Sequence, residues 1–295
     1  ETLGSTTVIC TDKTGTLTKN EMTVKVVFDG EHVFEATGVG YDPAGEFLHE
    51  WIPPRQEERQ NLFLCLRIGL LCNESSLYRE EGEYRVNGDP TEGALIVSAL
   101  KGGLDPEEEK REYPEIAVLP FESEYGYMAT LHRHGGKKWI FVKGGPEKIL
   151  DLCSGCQATH EIRTREILQT SDRFAREGMR VLAMAYKEAP ADLEVLRHKD
   201  VEGGLILAGI QGMIDPPRAE VMEAIRGCRE AGIRTVMITG DHPTTALAIG
   251  KMLGIAPGES GGLTGRELEG MSDGELFSRV EHTSVYARVA PHHKL

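Results

Sequence analysis

The chain has 295 residues, of which 40% are hydrophobic and 27% charged, a composition typical of a globular protein with room for two domains. Its formal net charge of −14 argues against a surface that binds nucleic acid or anionic membranes, since both need clustered lysine and arginine. A few local cations would still suffice for a phosphate-bearing ligand. No run approaches the roughly 18 consecutive apolar residues of a membrane helix.

The six cysteines show no disulfide-framework spacing, which favours reduced thiols and a cytosolic setting. Cys153 and Cys156 form a lone C-x-x-C pair without a second pair or a nearby histidine, so we expect two incidental thiols rather than zinc ligands. The chain begins in mid-pattern at Glu1, without an initiating methionine or a signal peptide. We therefore expect a piece of a longer protein.

The first stretch with a chemical signature follows a short apolar run near the amino terminus. The run Thr7–Cys10 predicts a buried strand. Asp12, Thr14 and Gly15 then predict a loop at the carboxyl end of this strand, where open α/β sheets bind ligands. A carboxylate followed by hydroxyls and glycine suits an aspartate that accepts a phosphoryl group and passes it to water. For Asp-x-Thr-Gly alone, a turn with a solvated aspartate is the competing interpretation.

The middle of the chain predicts an α+β domain with a mainly antiparallel sheet. Asp29-Gly30 between two strand-like runs is a hairpin signal, so a domain boundary is expected near residue 21. A loop is expected from Gly38 to Pro54. The predicted strands are 24–28, 32–35, 116–121, 127–132, 139–142, 180–186 and 205–210.

Two helices are predicted within this domain. The first spans about 55–72, with Leu62, Leu66 and Leu70 on one face. The second begins after Asp89 as the N-cap, with Glu92 reaching back in a capping box, and ends near residues 102–103.

From residue 215 the pattern changes to alternating helices and strands. Asp215 is expected to open a helix that Gly232 closes, with Val221, Ile225 and Cys228 on one face. A strand at 233–238, a loop at 239–241 and a helix at 244–253 follow. We therefore predict one Rossmann-like α/β domain built from residues 1–20 and 215–295, with an inserted domain at 21–214.

The run Asp12-Lys13-Thr14-Gly15-Thr16-Leu17-Thr18 resembles, letter for letter, the phosphorylation signature of P-type ATPases, ion pumps built on a haloacid-dehalogenase-like core. The resemblance implies that Asp12 is the phosphoryl acceptor, that Lys13 and Thr14 frame its loop, and that Mg²⁺ binds the Asp12 carboxylate and the Thr14 carbonyl. It implies further catalytic residues at Thr239, Gly240, Asp241 and Lys294, and a place for Asp215 at the hinge between the domains. Taken without the resemblance, Asp241 and Asp215 are ordinary helix N-caps and Lys294 is a solvated surface residue.

The inserted domain resembles the nucleotide-binding domain of the same family. The resemblance implies that ATP contacts Glu92, Phe121, Lys143, Gly144 and Arg180, with Met128 and Leu182 as apolar walls. An adenine site needs an aromatic face, apolar walls and a few polar groups, while the phosphates need a cation. Each residue also has a simpler interpretation, such as a core aromatic for Phe121, helix capping for Glu92 and a surface ion pair for Arg180.

Three departures from the family pattern stand out. Gly145 replaces the usual alanine after Lys-Gly, and Gly126 replaces a basic residue that is usual two positions before Met128, which removes one phosphate-side cation. The chain also stops at Leu295, before the Gly-Asp-Gly loop that supplies a Mg²⁺ ligand. We therefore leave open whether this piece turns over ATP by itself.

These patterns predict a catalytic piece of a P-type cation pump, itself soluble and placed at the cytoplasmic face of a membrane. Its ligands are expected to be ATP and Mg²⁺, with no nucleic-acid partner. Lys19-Asn20-Glu21-Met22-Thr23 and Gly212 to Arg218 look most like the calcium-pump branch. The alternatives are an ATP-binding module that is inactive alone and a soluble haloacid-dehalogenase-like phosphatase. The phosphatase would carry a second aspartate where this chain has Thr14.

Overall fold

The computed structural model describes residues 6–256 and 262–290, and these form two compact units. Unit 1 contains the described residues up to Glu21, the segment Ala175–Met179 and the described residues from Asp215 onward. Unit 2 contains Met22–Phe174 and Arg180–Ile214. The fold is mixed α/β, and most of its strand pairs are antiparallel.

Unit 2 is built on a nine-stranded sheet in the order β4-β3-β2-β12-β11-β9-β8-β7, with β10 paired in parallel to β12. The predicted hairpin around Asp29-Gly30 is confirmed, because β2 and β3 pair as antiparallel neighbours with Phe28 opposite Val33. The sheet strands are β2 (Thr23–Phe28), β3 (Val33–Ala36), β4 (Phe47–Leu48), β7 (Glu115–Glu122), β8 (Tyr127–His134), β9 (Lys137–Gly144), β10 (Cys153–Cys156), β11 (Arg180–Ala189) and β12 (Leu205–Ile214).

The core of unit 2 lies between this sheet and two helices, α1 (Gln56–Leu71) and α2 (Pro90–Lys101). The predicted stripe on α1 is confirmed, since Leu62, Leu66 and Leu70 are all buried in the core. Burying such side chains contributes about 1.5–3 kcal/mol each, which is the main stabilisation of an amphipathic helix on a sheet. A separate hairpin, β5 (Ser76–Glu80) with β6 (Glu83–Asn87), precedes α2 and was not predicted.

Two predicted boundaries are wrong. The expected loop 38–54 contains the short strand β4, whose Phe47 is buried and pairs with Ala36. The helix expected at Asp215 begins at Ala219, because the segment before it is extended and pairs with the residues around Thr18. Lys19 N–H donates to Pro216 O and Arg218 N–H donates to Leu17 O, which holds that segment out of the helix.

Unit 1 contains a four-stranded parallel sheet in the order β1-β13-β15-β14. Its first two strands come from opposite ends of the described chain, and Asp12 in β1 lies opposite Ile238 in β13. The strands are β1 (Val8–Asp12), β13 (Arg234–Ile238), β14 (Leu263–Thr264) and β15 (Val285–Ala287). The helices of this part are α7 (Ala219–Glu230), α8 (Pro243–Met252), α9 (Gly265–Glu269) and α10 (Asp273–Val280).

The remaining helices are α3 (Pro106–Glu112), α4 (Pro146–Leu152), α5 (Thr164–Arg176) and α6 (His198–Val201). None of the helices in the described parts of the chain combines the length and the apolar character needed to cross a membrane.

The buried side chain of His132 on β8 makes the stability of unit 2 depend on pH. Its Nδ1–H donates to Tyr113 O at 2.9 Å, its Nε2 accepts from Thr130 Oγ1 at 2.8 Å, and burial lowers its pKa from 6.5 to about 4. As the pH falls from 6.5 towards 4, His132 becomes protonated in the unfolded chain but stays neutral in the folded chain. The free energy of unfolding therefore decreases over this pH range.

We expect unit 2 to lose about 3 kcal/mol of its free energy of unfolding through His132 between about pH 7 and pH 4. Urea titrations followed by tryptophan fluorescence report this unit, because Trp51 and Trp139 both lie in it. His132→Asn keeps a donor for Tyr113 O and removes the titrating ring, so its stability should depend less steeply on pH. Equal pH slopes for the wild type and the variant would contradict this assignment.

Candidate functional site

The loop after β1 exposes Asp12 and buries the residue that follows it. Asp12 lies at the end of the strand in an extended conformation, whereas Lys13 is only 6% exposed. Gly15 has φ +73°, and a Cβ added there would meet no atom of the described residues within 4 Å. The loop therefore turns sharply at Gly15, in a backbone conformation that favours glycine.

Lys13 links this loop to the loop after β13. Its Nζ lies 2.6 Å from Asp241 Oδ2 and 3.8 Å from Asp215 Oδ2. Because β1 and β13 are parallel neighbours, their carboxyl ends meet at one edge of the sheet. The structure thus brings Asp12, Lys13, Thr14 and the 239–241 loop together at that edge.

The 239–241 loop offers a buried hydroxyl and an open backbone. Thr239 is 1% exposed, and its Oγ1 accepts from the Asp241 N–H at 3.2 Å. Gly240 is exposed, and within the described parts of the chain no atom lies within 4 Å of the place where a Cβ would stand. The helix that follows is capped by His242, so Asp241 is not its N-cap and its carboxylate faces Lys13 instead.

Asp215 is buried and is held by side chains from the first loop. Thr18 Oγ1 donates to its Oδ2 at 2.5 Å, and Lys13 approaches the same oxygen. Its Oδ1 has no hydrogen-bond partner among the described residues. Asp215 therefore contacts the Asp12 loop and does not cap α7, whose N-cap is Arg218. Lys294, the remaining predicted catalytic residue, lies outside the described residues.

A second candidate site is a cavity of about 650 Å³ in unit 2, a volume within the range of small-molecule sites. The sheet register places Tyr127, Gly144 and Ala183 opposite one another, so the cavity lies at one end of β8, β9 and β11. Its lining residues are Glu74, Ser75, Gly88, Asp89, Thr91, Glu92, Phe121, Gly126, Lys143, Gly144, Gly145, Arg180, Val181 and Leu182.

A buried ion pair forms one wall of this cavity. Lys143 Nζ donates to Glu92 Oε1 and to Cys72 O, both at 2.5 Å. The other carboxylate oxygen of Glu92 accepts from Ser75 Oγ at 2.9 Å and from the Glu74 N–H at 3.1 Å. Glu92 therefore fixes the Lys143 ammonium in place.

The capping box predicted for Glu92 is wrong. The backbone N–H of Asp89 donates to Ser75 Oγ. This N–H is therefore not donated to the Glu92 carboxylate, as a capping box requires. The Asp89 N-cap itself is confirmed, because its Oδ1 accepts from the N–H groups of Thr91 and Glu92. Burial favours the neutral acid, but these hydrogen bonds and the nearby Arg180 outweigh it and lower the pKa of Asp89.

The other predicted nucleotide residues divide into lining and core positions. Phe121 lines the cavity with 58% of its surface exposed, and Leu182 is also a lining residue. Arg180 is exposed and donates from Nη1 to Thr91 Oγ1 at 3.2 Å. Met128 is 1% exposed, belongs to the hydrophobic core and does not line the cavity.

Ser75 is a cavity residue that the sequence did not indicate. Its hydroxyl joins Glu92 to the Asp89 backbone, but a serine between α1 and the β5–β6 hairpin carries no recognisable motif. Gly88 is a further lining residue that the sequence could have indicated, because it directly precedes the N-cap Asp89. A Cβ there would lie 2.3 Å from Ser75 Oγ, so this position needs glycine.

Comparisons with known proteins identify the family to which this chain belongs. Residues 61–220 match the family model described as P-type ATPase, cytoplasmic domain N. The whole chain aligns at 44% identity with cation-transporting ATPase pma1 of Synechocystis sp. and at 39% with a calcium-transporting ATPase of Bacillus subtilis, covering 34% of each. It aligns at 40% with calcium-transporting ATPase 1 of Lactococcus lactis, covering 32%. The chain thus spans about a third of these relatives, and it belongs to the family of P-type cation-transporting ATPases.

Proposed function

We propose that this chain is the catalytic part of a cation pump that transfers the γ-phosphoryl group of ATP to Asp12. In this proposal residues 1–20 and 215–295 form a discontinuous haloacid-dehalogenase-like Rossmann domain, and residues 21–214 form the inserted nucleotide-binding domain. Hydrolysis of the aspartyl phosphate drives cation transport through membrane helices outside this chain.

The observation that carries the proposal is the arrangement around Asp12. An exposed carboxylate stands at a strand end, the buried Lys13 ion pair ties its loop to Asp241, and the open backbone at Gly240 lies on the neighbouring strand end. Rigid support beside an exposed nucleophile is what in-line phosphoryl transfer requires, since this chemistry depends on positioning and charge stabilisation.

The proposed reaction has two steps. A carboxylate oxygen of Asp12 attacks the γ-phosphorus, and the bond from that phosphorus to the bridging oxygen of ADP breaks. Water then attacks the phosphorus of the aspartyl phosphate, which releases inorganic phosphate and restores the carboxylate. Thr239 and the Gly240 N–H stabilise the transferring oxygens, and Lys294 has the same role by resemblance.

Asp12 and Thr14 suit Mg²⁺ by the chemistry of their donors. Mg²⁺ prefers oxygen ligands and is commonly held by one or two carboxylates together with waters and substrate phosphates. The Asp12 carboxylate is exposed, and the non-helical backbone at Thr14 (φ −73°, ψ 125°) breaks the turn that follows it. When bound, Mg²⁺ would neutralise charge on the phosphate oxygens.

The cavity of unit 2 supports ATP as the phosphoryl donor. Phe121 offers an exposed aromatic face for stacking, and Leu182 and Val181 add apolar surface. Small residues at 144 and 145 let a flat ring approach the backbone beside Lys143. Calcium is our proposed cargo, since relatives from two of the three organisms named above are called calcium-transporting ATPases.

Labelling with γ-³²P-ATP and Mg²⁺ tests the proposal, on this chain and in parallel on the longer protein of its relatives' length. We expect acid-stable, hydroxylamine-labile label that Asp12→Asn lowers by at least about 100-fold, because an amide is a poor nucleophile. Asp192→Asn makes the same chemical change at an exposed site in unit 2 and should label like the wild type.

Two results would contradict the proposal. Label that persists in Asp12→Asn, or label that resists hydroxylamine, would show that another group is phosphorylated. ATP binding without any label in the longer protein would leave only a nucleotide-binding module.

A further inference from the structure

Lys148 lies beside Gly126, a cavity position whose backbone conformation disfavours a side chain. Gly126 lines the cavity with φ +71°, a conformation that strains any residue with a Cβ. Of the residues that the structure describes, a Cβ added to Gly126 would meet only Lys148, with Cγ at 3.7 Å and Cβ at 3.9 Å. The aliphatic stem of an exposed lysine therefore covers the place that a side chain at 126 would occupy.

The sheet places this lysine next to two residues that line the cavity, Gly126 and Gly145. The Gly145 N–H donates to Gly126 O at 3.3 Å, so these two lining glycines lie side by side at the end of β8 and β9. The short helix α4 starts directly after Gly145, and Lys148 lies in its first turn. Its ammonium reaches a few ångströms beyond Cγ, so it can move towards a group held in the cavity.

The cations that line the cavity are already engaged. Lys143 is paired with Glu92, and Arg180 bonds Thr91 beside the negative charge of Asp89. Three carboxylates and two cations line the cavity, so the lining carries an excess of negative charge. A polyphosphate in this cavity therefore needs a further cation.

Lys148 lies beside the cavity and takes part in no ion pair among the described residues. Among the described residues, no carboxylate oxygen lies within ion-pair distance of its ammonium. Glu147 is the nearest acid along the chain, and its Oε2 lies 3.8 Å from the place of a Cβ on Gly145. An exposed, unpaired lysine can turn to an incoming phosphate without breaking an existing contact.

We propose that Lys148 binds the phosphate chain of the nucleotide and so determines the preference of this cavity for ATP over the nucleoside. The proposal rests on the nucleotide site proposed above. It assigns to a helix residue the phosphate contact that Gly126 cannot make.

Isothermal titration of the full chain with ATP and with adenosine tests the assignment. We expect Lys148→Ala to weaken ATP binding about five- to tenfold and to leave adenosine binding unchanged, because only ATP carries the phosphates. Lys148→Arg should restore ATP binding to within about twofold of the wild type. The loss should shrink as salt is raised, since the contact is exposed and electrostatic.

Lys137→Ala is the matched control. Lys137 begins the strand that Gly144 ends, about 23 Å away along β9, and pairs with Glu188. Its removal changes the net charge equally and should leave ATP binding unchanged. Equal ATP losses in both variants, or an equal loss of adenosine binding in Lys148→Ala, would overturn the assignment.

Phe121→Ala separates failure of this inference from failure of the nucleotide site. It should weaken ATP and adenosine alike, because it removes the stacking face. Wild-type protein that binds neither ligand, or a Phe121→Ala variant that binds both normally, would refute the site itself. If Phe121→Ala weakens the binding of both ligands as expected, and Lys148→Ala leaves ATP binding unchanged, only the role of Lys148 is refuted.

Discussion

Replacing Lys13 by methionine is expected to destabilise unit 1 by about 2–4 kcal/mol, because it leaves the charges of Asp241 and Asp215 without their shared cation. The ammonium lies 2.6 Å from Asp241 and 3.8 Å from Asp215, and the Asp215 carboxylate is already one hydrogen bond short among the described residues. Methionine keeps most of the aliphatic stem, so the loss reports the charge rather than packing.

Hydrogen exchange at the amides of β1 and β13 measures this effect, since both strands belong to unit 1. Lys19→Met is the control, because Lys19 is exposed in the same segment and should cost less than about 0.5 kcal/mol. Adding Asp241→Asn to Lys13→Met should recover part of the loss by removing one unpaired charge. If Lys13→Met lowered the free energy of unfolding no more than Lys19→Met, the ion pairs of Lys13 would contribute nothing to the stability of unit 1.

The predictable part of the fold is the part governed by local rules. Asp29-Gly30 correctly predicts the β2–β3 hairpin, and the leucine spacing of α1 correctly predicts its buried face. Both signals lie within a few neighbouring residues. The errors occur where a distant segment decides. Asp215 has the sequence of an N-cap, but Thr18 and Lys13 from the start of the chain take its carboxylate.

The candidate sites show the same division. Glu92 has the sequence spacing of a capping box. In the fold, however, the Asp89 N–H donates to Ser75 Oγ, and the Glu92 carboxylate accepts from Lys143. Lys148 carries no motif, and its place beside Gly126 follows from the turn that ends β7 and begins β8. The roles of Asp12, Thr239 and Arg180 stay predictions from resemblance until the labelling and binding experiments are done.

Gly144→Ala is expected to destabilise unit 2 by about 2–3 kcal/mol and to impair nucleotide binding, because the added Cβ collides with backbone. It would lie 2.5 Å from Gly126 O and 3.0 Å from Tyr127 Cα, so β8 and β9 would have to separate at the cavity. Urea unfolding followed by tryptophan fluorescence measures the first effect, and titration with ATP measures the second.

Gly145→Ala is the matched control one residue away. Its added Cβ would meet no described atom but Glu147 Oε2, at 3.8 Å, and its backbone (φ −61°, ψ 138°) suits alanine. We expect a neutral change or a gain of up to about 1 kcal/mol, because alanine restricts the unfolded chain. Alanine thus fits at 145, whereas 144 admits only glycine. Equal losses in the two variants would refute the backbone collision as the cause.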